Sequence, residues 1–263
     1  MNRSFFKVTR LLSTIGFSPK QLILALKGFP YFFRNKKEIR KQLSNSKIPF
    51  SITSYYPCPA DRFDQAGTIP LHYFHQDLYV ARRLFENNPV KHVDIGSRLD
   101  GFIAHVAVFR KIEVMDIREI KDEIPNVIFL RADVMSGDFK LNDYCDSVSC
   151  LHTIEHFGLG RYGDPIDING HIKGLNNIVK MLKKSGRLYL STVIGPQRIE
   201  FDAHRVFSIQ YLIDLLDKNF SIERFSYIDD KNKFHPSTEL SDENIISNFD
   251  CNYGCGIFEL IKK

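Results

Sequence analysis

The chain has 263 residues, 43% of them hydrophobic and 25% charged, with a formal net charge of +5. That length suits one full α/β domain with an extension, the apolar share is ordinary for a protein with a buried core, and no run of eighteen apolar residues offers a membrane-spanning helix. Five cysteines without framework spacing exclude a disulfide scaffold and point to a reducing, cytoplasmic setting.

The charge is unevenly placed. Residues 1–42 carry ten Lys and Arg against Glu38 alone, a net +9 that leaves −4 for the remainder. Residues 4–42 read as two or three short amphipathic helices, with Phe5, Phe6, Leu11, Leu12, Leu22, Leu26, Phe29, Phe32 and Phe33 interleaved with Lys7, Arg10, Lys27 and Arg34. Aromatic and leucine faces beside basic ones suit an interfacial helix on an anionic membrane surface. They suit equally a helix that packs on the domain and shows its basic residues to water. No nucleic-acid module is recognisable, so nucleic acid is not an expected partner. The basic start has an interrupted apolar run and no clean cleavage site, so no signal peptide is expected. Residues 1–48 are therefore set apart as a basic helical extension, and 49–263 as the main domain.

Pro49, Pro57, Pro59 and Pro70 mark residues 43–70 as an extended crossing segment, with Tyr55 and Tyr56 as anchors. Leu71–Asn88 reads as a helix: Phe74, Leu78, Ala81 and Phe85 recur at near-helical spacing, and Asn88-Pro89 stops it. His72, His75 and Gln76 lie near its start.

The centre of the pattern is residues 90–117. His92–Ile95 is a short β-branched run that reads as a buried strand and breaks at Gly96-Ser97. Gly101 opens an apolar stretch of helical length, and Ile112–Ile117 is a second strand carrying Asp116 near its end. This is half of a nucleotide-binding βαβ unit. Glycines let the backbone approach a ligand that a Cβ would block, and an ionised Asp116 can accept two hydrogen bonds from ribose hydroxyls. Asp94-Ile95-Gly96-Ser97, with Asp116 twenty-two residues after Asp94, resembles the first two motifs of class I S-adenosylmethionine-dependent methyltransferases. The resemblance implies a Rossmann-like, doubly wound, seven-stranded, mostly parallel sheet with an antiparallel last strand, preceded here by the basic helical extension. It also implies S-adenosylmethionine as cofactor, with Asp94, Gly96, Ser97, Gly101 and Asp116 around it. Arg98 stands where the family usually has a small residue, a departure that bears on cofactor affinity.

Further motifs follow in order. Val127–Leu130 is a third strand leading to Asp133, an acid that resembles the family residue bonded to the adenine amino group; a turn aspartate is the alternative. Cys145–Leu151 is a fourth strand running into His152-Thr-Ile-Glu155-His156, which resembles the family's fourth motif. By that match Leu151 and His152 touch the cofactor, and Glu155-His156 orients the strand end or faces the acceptor. The loop 157–167 holds three glycines, Arg161, Tyr162, Asp164 and Asp167. A loop this polar after a core strand suits an acceptor site, where planar Arg161 could hold a phosphate or carboxylate; the alternative is a self-capped loop in which Asp164 pairs with Arg161. Ile172, Leu175, Ile178, Val179 and Leu182 form a helix stripe, Arg187–Ile194 a fifth strand, and Ser208 a cap for a helix through Leu216. Between them lie Asp202, His204 and Arg205, placed either for acceptor contact or for a surface pair. Phe220–Ile228 and Ile257–Ile261 are the last two strands, and 229–256 is a long polar link. Cys251 and Cys255 form a lone C-x3-C with no second pair, so no metal site is expected.

Methyl transfer from a sulfonium is an in-line displacement, and a hydroxyl acceptor must lose a proton as it attacks. His156, His204 and His152 are the candidate bases, with Arg161, Tyr162, Asp164, Asp167 and Arg205 for the acceptor. The expected function is O-methylation of a sugar or glycan-related small polar acceptor. The loop 158–165 and the segment 203–207 also resemble an uncharacterised methyltransferase-like family associated with bacterial surface-polysaccharide synthesis. The alternatives are a non-catalytic binding protein on the same fold and an NAD-dependent oxidoreductase. The expected location is cytoplasmic, with the basic front end as an attachment to the inner face of the membrane.

Overall fold

The computed structural model describes residues 14, 16–64, 67, 69 and 71–263. The chain divides into two compact units, Met1–Ile69 and Pro70–Lys263. In the first, a single 26-residue helix, α1 (Pro19–Ser44), stands in place of several short ones; the part of that expectation on residues 4–13 lies outside the described residues. Ser18 caps α1 by accepting from the Gln21 N–H, and Pro19 sits in the first turn, where a missing N–H costs nothing. Pro30 inside the helix removes one backbone hydrogen bond, yet its φ is locked near the helical value and the helix runs on. The following segment folds back on α1. Tyr55 accepts from Arg40 at 2.6 Å, Lys36 lies 4.1 Å from the Tyr55 ring centroid, and Arg62 lies 3.6 Å from that of Tyr31. Tyr56, also expected as an anchor, is 90% exposed. Among the described residues no helix is long and apolar enough to cross a membrane.

The second unit is built on β1 (His92–Ile95), β2 (Ile112–Asp116), β3 (Val127–Arg131), β4 (Cys145–Leu151), β5 (Leu182–Ile194), β8 (Phe220–Ile228), β9 (Phe234–His235) and β10 (Gly254–Lys262). Their order is β3-β2-β1-β4-β5-β10-β8-β9. Strands β3 through β5 pair in parallel, and β10 lies antiparallel between β5 and β8. The sheet has eight strands where seven were expected. The extra one, β9, is two residues of the polar 229–256 link pairing antiparallel with Tyr227 and Ile228, too short to show a period in sequence. A separate ribbon, β6 (Arg198–Glu200) with β7 (His204–Val206), carries the segment after β5.

Helices cover both faces. Alternate strand residues point to opposite sides, so Val93, Met115, Leu188 and Leu190 join α4 (Gly170–Met181) and α5 (Ile209–Asp217) in one apolar cluster. Ile112, Val114, Tyr189 and Ile257 join α2 (Leu71–Asn87) and α3 (Ala104–Ala107) in the other. Ser208 caps α5, accepting from the Tyr211 N–H. Most of the stripe read for α2 faces outward: Phe74, Leu78 and Phe85 are exposed, and of the four only Ala81 is buried, together with His72, Gln76, Asp77, Val80 and Leu84. Burying polar groups is tolerable when they find partners, and Gln76 accepts from Ser191 at 2.5 Å.

His92 is 2% exposed, with its two ring nitrogens 2.8 and 3.0 Å from the hydroxyls of Ser147 and Ser149. Burial pushes its imidazole down to about 3. The unfolded chain protonates it near the ordinary value of about 6.5, so its contribution is intact above that pH and is lost as pH falls toward the folded value. Each pH unit in that window costs about 1.4 kcal/mol. Asp94, pushed up to about 7 by burial, has the opposite slope. The histidine's share is therefore read as a difference: urea denaturation at pH 7 and pH 5 should show a larger acid-side loss for wild type than for His92→Asn.

Candidate functional site

A cleft of about 420 Å³ lies at the carboxyl ends of β1 to β4, the edge at which open α/β sheets place ligands. Gly96 forms its wall after β1, with φ +72°; a Cβ there would sit 2.5 Å from the Thr153 methyl. Beneath it Asp94 is fully buried and accepts from the Ser97 N–H (3.0 Å), the Ser97 hydroxyl (2.8 Å) and the Ser149 hydroxyl (2.5 Å). Asp94 therefore shapes the turn and is not itself a wall of the cleft. Gly101 is also off the cleft. It sits at the kink of a turn, Leu99–Ile103, and its missing Cβ leaves room for Asp77 of α2, whose Oδ2 lies 2.5 Å from where that atom would be.

Asp116 and Asp133 line the cleft after β2 and β3. The Asp116 carboxylate accepts from the Arg118 side chain at 3.0 and 2.8 Å and from its N–H at 2.8 Å. Arg118, a cleft residue absent from the sequence-derived set, also lies 4.5 Å from the Tyr162 ring centroid. Asp133 accepts from the Met135 N–H at 2.8 Å. Arg98 lines the cleft, is largely exposed and pairs with Asp100 through two hydrogen bonds of 2.9 and 2.7 Å, so its guanidinium is tied to an acid beside it.

Leu151 ends β4, and His152 and His156 follow it; all three are cleft residues. His152 has φ +48°. Its Nδ1 lies 2.7 Å from fully buried Glu155, which also accepts from Thr192 at 3.1 Å. Despite burial, the His152 imidazole beside it holds the Glu155 carboxyl below its ordinary value. His156 donates from Nδ1 to the Ala203 carbonyl at 2.7 Å. That bond leaves Nε2 as the proton acceptor of a neutral ring, and burial holds the imidazole below its ordinary value, so it stays neutral near pH 7.

The 157–167 loop is largely self-capped. Asp164 accepts from the N–H groups of Gly158 (2.9 Å), Gly160 (3.1 Å) and Tyr162 (3.2 Å), although Arg161, Tyr162 and Asp164 all line the cleft. Arg161 donates to Ala203, not to Asp164. Asp167 pairs with Lys173 at 2.5 Å outside the cleft. Arg205 is 5% exposed and holds the loop from below, donating to the carbonyls of Phe157 (2.6 Å) and Ile168 (3.1 Å). It neither faces the cleft nor pairs with Asp202. His204 stands behind His156, with ring centroids 6.1 Å apart, and is not a cleft wall. From α2, Tyr73, Gln76 and Asp77 close the cleft; of these, sequence reasoning marked only Gln76. The signal for Asp77 and Tyr73 was their helical phase with Gln76, masked by the more apolar stripe of Phe74 and Leu78.

The parallel half-sheet, the antiparallel strand inserted between β5 and β8, and the cleft over β1 to β4 define the fold of the class I, Rossmann-like S-adenosylmethionine-dependent methyltransferases. The chain is similar to the crystal structure of Burkholderia thailandensis 1,6-didemethyltoxoflavin-N1-methyltransferase with bound 1,6-didemethyltoxoflavin and S-adenosylhomocysteine. The TM-score is 0.52 at 14% identity, over 72% of this chain and 78% of that one. It is also similar to the crystal structure of the [4+2]-cyclase SpnF, with a TM-score of 0.51 at 14% identity, over 81% of this chain and 85% of that one. No curated protein matches the sequence. The chain belongs to the family described as "Caenorhabditis protein of unknown function, DUF268", whose model matches residues 102–248.

Proposed function

We propose that the protein is an S-adenosylmethionine-dependent methyltransferase acting on a hydroxyl of a small polar acceptor, a sugar or glycan-related molecule. The observation that carries this reading is His156: a neutral imidazole, its Nδ1 pinned to Ala203, lining the same cleft as Gly96, Asp116 and Asp133. The residues present fit the cofactor. The side-chain-free wall at Gly96 admits a close backbone approach, carboxylates end β2 and β3, and a cleft of about 420 Å³ is of ligand size. When bound, S-adenosylmethionine supplies a methyl group on a positively charged sulfur. Asp116 would hold the ribose, Asp133 the adenine edge, and Leu151 the apolar wall. The Nε2 atom of His156 takes the proton of the acceptor hydroxyl, and Arg161 and Tyr162 orient that acceptor. The cyclase among the similar folds shows that this architecture also serves other chemistry, so the assignment rests on the site.

Calorimetric titration with S-adenosylmethionine, with NAD as the comparison, tests the cofactor. Saturable binding of the first alone is expected; binding of NAD alone would favour an oxidoreductase, and binding of neither a non-catalytic protein. With a sugar acceptor in hand, His156→Ala should lower turnover by about 10²- to 10⁴-fold with cofactor affinity unchanged. Arg118 competes with a ribose for Asp116. A half-exposed ion pair is worth about 0.2–1 kcal/mol, so Arg118→Ala should tighten cofactor binding by about 1.5- to 5-fold.

For the first unit we propose an anionic membrane surface as partner. Its support is α1, where Leu22, Ile23, Leu26 and Phe33 are exposed on a helix carrying Lys20, Lys27, Lys37 and Lys41. A basic residue near such a surface contributes about 1 kcal/mol, so each of Lys20→Gln, Lys37→Gln and Lys41→Gln should weaken binding to phosphatidylserine vesicles about fivefold. Full-length protein that never sediments with those vesicles would end the proposal.

A further inference from the structure

His72 in the first turn of α2, His152 just beyond β4 and Cys255 in β10 come together under the cleft. One imidazole nitrogen from each histidine and the Cys255 Sγ all lie within 4.8 Å of one another, and all three residues are buried. We propose that these side chains form a transition-metal site of zinc type, independent of the methyl-transfer reading.

The geometry at His152 favours a metal. Its Nδ1–H donates to the Glu155 carboxylate at 2.7 Å, which leaves Nε2 as the atom turned to Cys255. That Nε2 is buried and has no nitrogen or oxygen partner, in a side chain only 5% exposed. A buried polar atom without a partner is costly, whereas a carboxylate holding one nitrogen of a histidine so that the other can ligate is the recurrent outer shell of metal sites. Glu155 is itself fixed by Thr192 at 3.1 Å. His72 is held in the same manner by a hydrogen bond to the backbone of Tyr253, and its ring lies within 10° of parallel to that of His152. The backbone of His152 adopts φ +48°, a conformation uncommon for a residue with a Cβ, so surrounding contacts must hold it there.

The donor set selects the metal. One thiolate and two imidazoles suit zinc in preference to magnesium or calcium, which take oxygen ligands. Side-chain rotation closes the present spread onto an ion with bonds of about 2.0–2.3 Å. Three protein ligands leave a fourth position for water or a ligand oxygen, and His152 is also a cleft wall. The two cysteines of the C-x3-C pattern do not come together. Cys251 packs in the apolar cluster on the other face of the sheet, and only Cys255 reaches the histidines.

The test uses full-length protein and the metal alone. Protein purified without chelator should carry close to one zinc per chain by mass spectrometry. Stripped protein titrated with Co²⁺ should develop a thiolate charge-transfer band and the visible bands of a tetrahedral site, saturating at one equivalent. Cys255→Ser should abolish the charge-transfer band with an unchanged circular dichroism spectrum, His72→Gln should weaken Co²⁺ binding at least tenfold, and Cys251→Ser should alter neither. Absence of both bound zinc and a cobalt spectrum, or a charge-transfer band that survives Cys255→Ser, would overturn the proposal.

Discussion

Gly96→Val is expected to weaken S-adenosylmethionine binding by more than 100-fold in calorimetric titration. Two effects act together. The residue has φ +72°, a region where a β-branched side chain is a true outlier and where even a simple Cβ costs about 1–2 kcal/mol. The new Cβ would also meet the Thr153 methyl at 2.5 Å. Thr153 cannot retreat freely, because its hydroxyl donates to the Leu151 carbonyl at 3.0 Å, so the clash is passed to the end of β4 and to His152. The side chain thus projects into the wall that a nucleotide must approach. Gly101→Val is the control. Its Cβ would meet the Asp77 carboxylate at a similar 2.5 Å, but Gly101 does not line the cleft. It should lower stability and leave affinity within about an order of magnitude. Equal affinity for wild type and Gly96→Val would show that the cofactor, if bound, lies elsewhere.

Glu259→Gln should produce the largest loss of stability, about 3 kcal/mol. Glu259 is fully buried in β10. It accepts from Arg83 at 3.1 and 2.9 Å and from Tyr79 at 2.6 Å, with Arg187 and Arg224 at 3.8 and 3.5 Å. Neutralising it leaves three guanidinium groups around an uncharged amide. Breaking a buried ion pair from one side costs about 3–5 kcal/mol. The lower end applies here because the side chains of Arg83 and Arg187 are 17% and 19% exposed and that of Arg224 39%, so water recovers part of the loss. At about 2–4 °C per kcal/mol for a chain of this size, thermal denaturation should shift down by roughly 6–12 °C. A shift within 2 °C would mean that the cluster contributes little to folding.

The local punctuation of the core was legible in the residues themselves. Asp94-Ile-Gly-Ser reads as a strand that breaks at Gly96, and the structure puts φ +72° there, a backbone that glycine adopts without steric cost. Ser208 reads as a cap, and it caps α5. The antiparallel last strand is also where the resemblance implied it. These features depend on residues within a few positions of one another, where backbone preference and side-chain period act directly.

What lay beyond reach depended on partners far apart in the chain. Arg205 read as an acceptor ligand or a surface pair, and the fold buries it under the loop it holds. Asp116 read as free, and Arg118 takes both of its oxygens. The buried face of α2 is set by what waits on the sheet for Gln76 and Asp77, not by the apolar stripe of Phe74 and Leu78. Turn chemistry and hydrophobic period are short-range properties, so the residues alone marked the strand, turn and strand of 92–116 and carried the resemblance that implied the class of fold. Packing set which polar side chains face the cleft, which ones brace it, and that His72, His152 and Cys255 meet. Those outcomes depend on the register of β10 between β5 and β8 and on the phase of α2 against the sheet, both fixed by packing across the whole second unit.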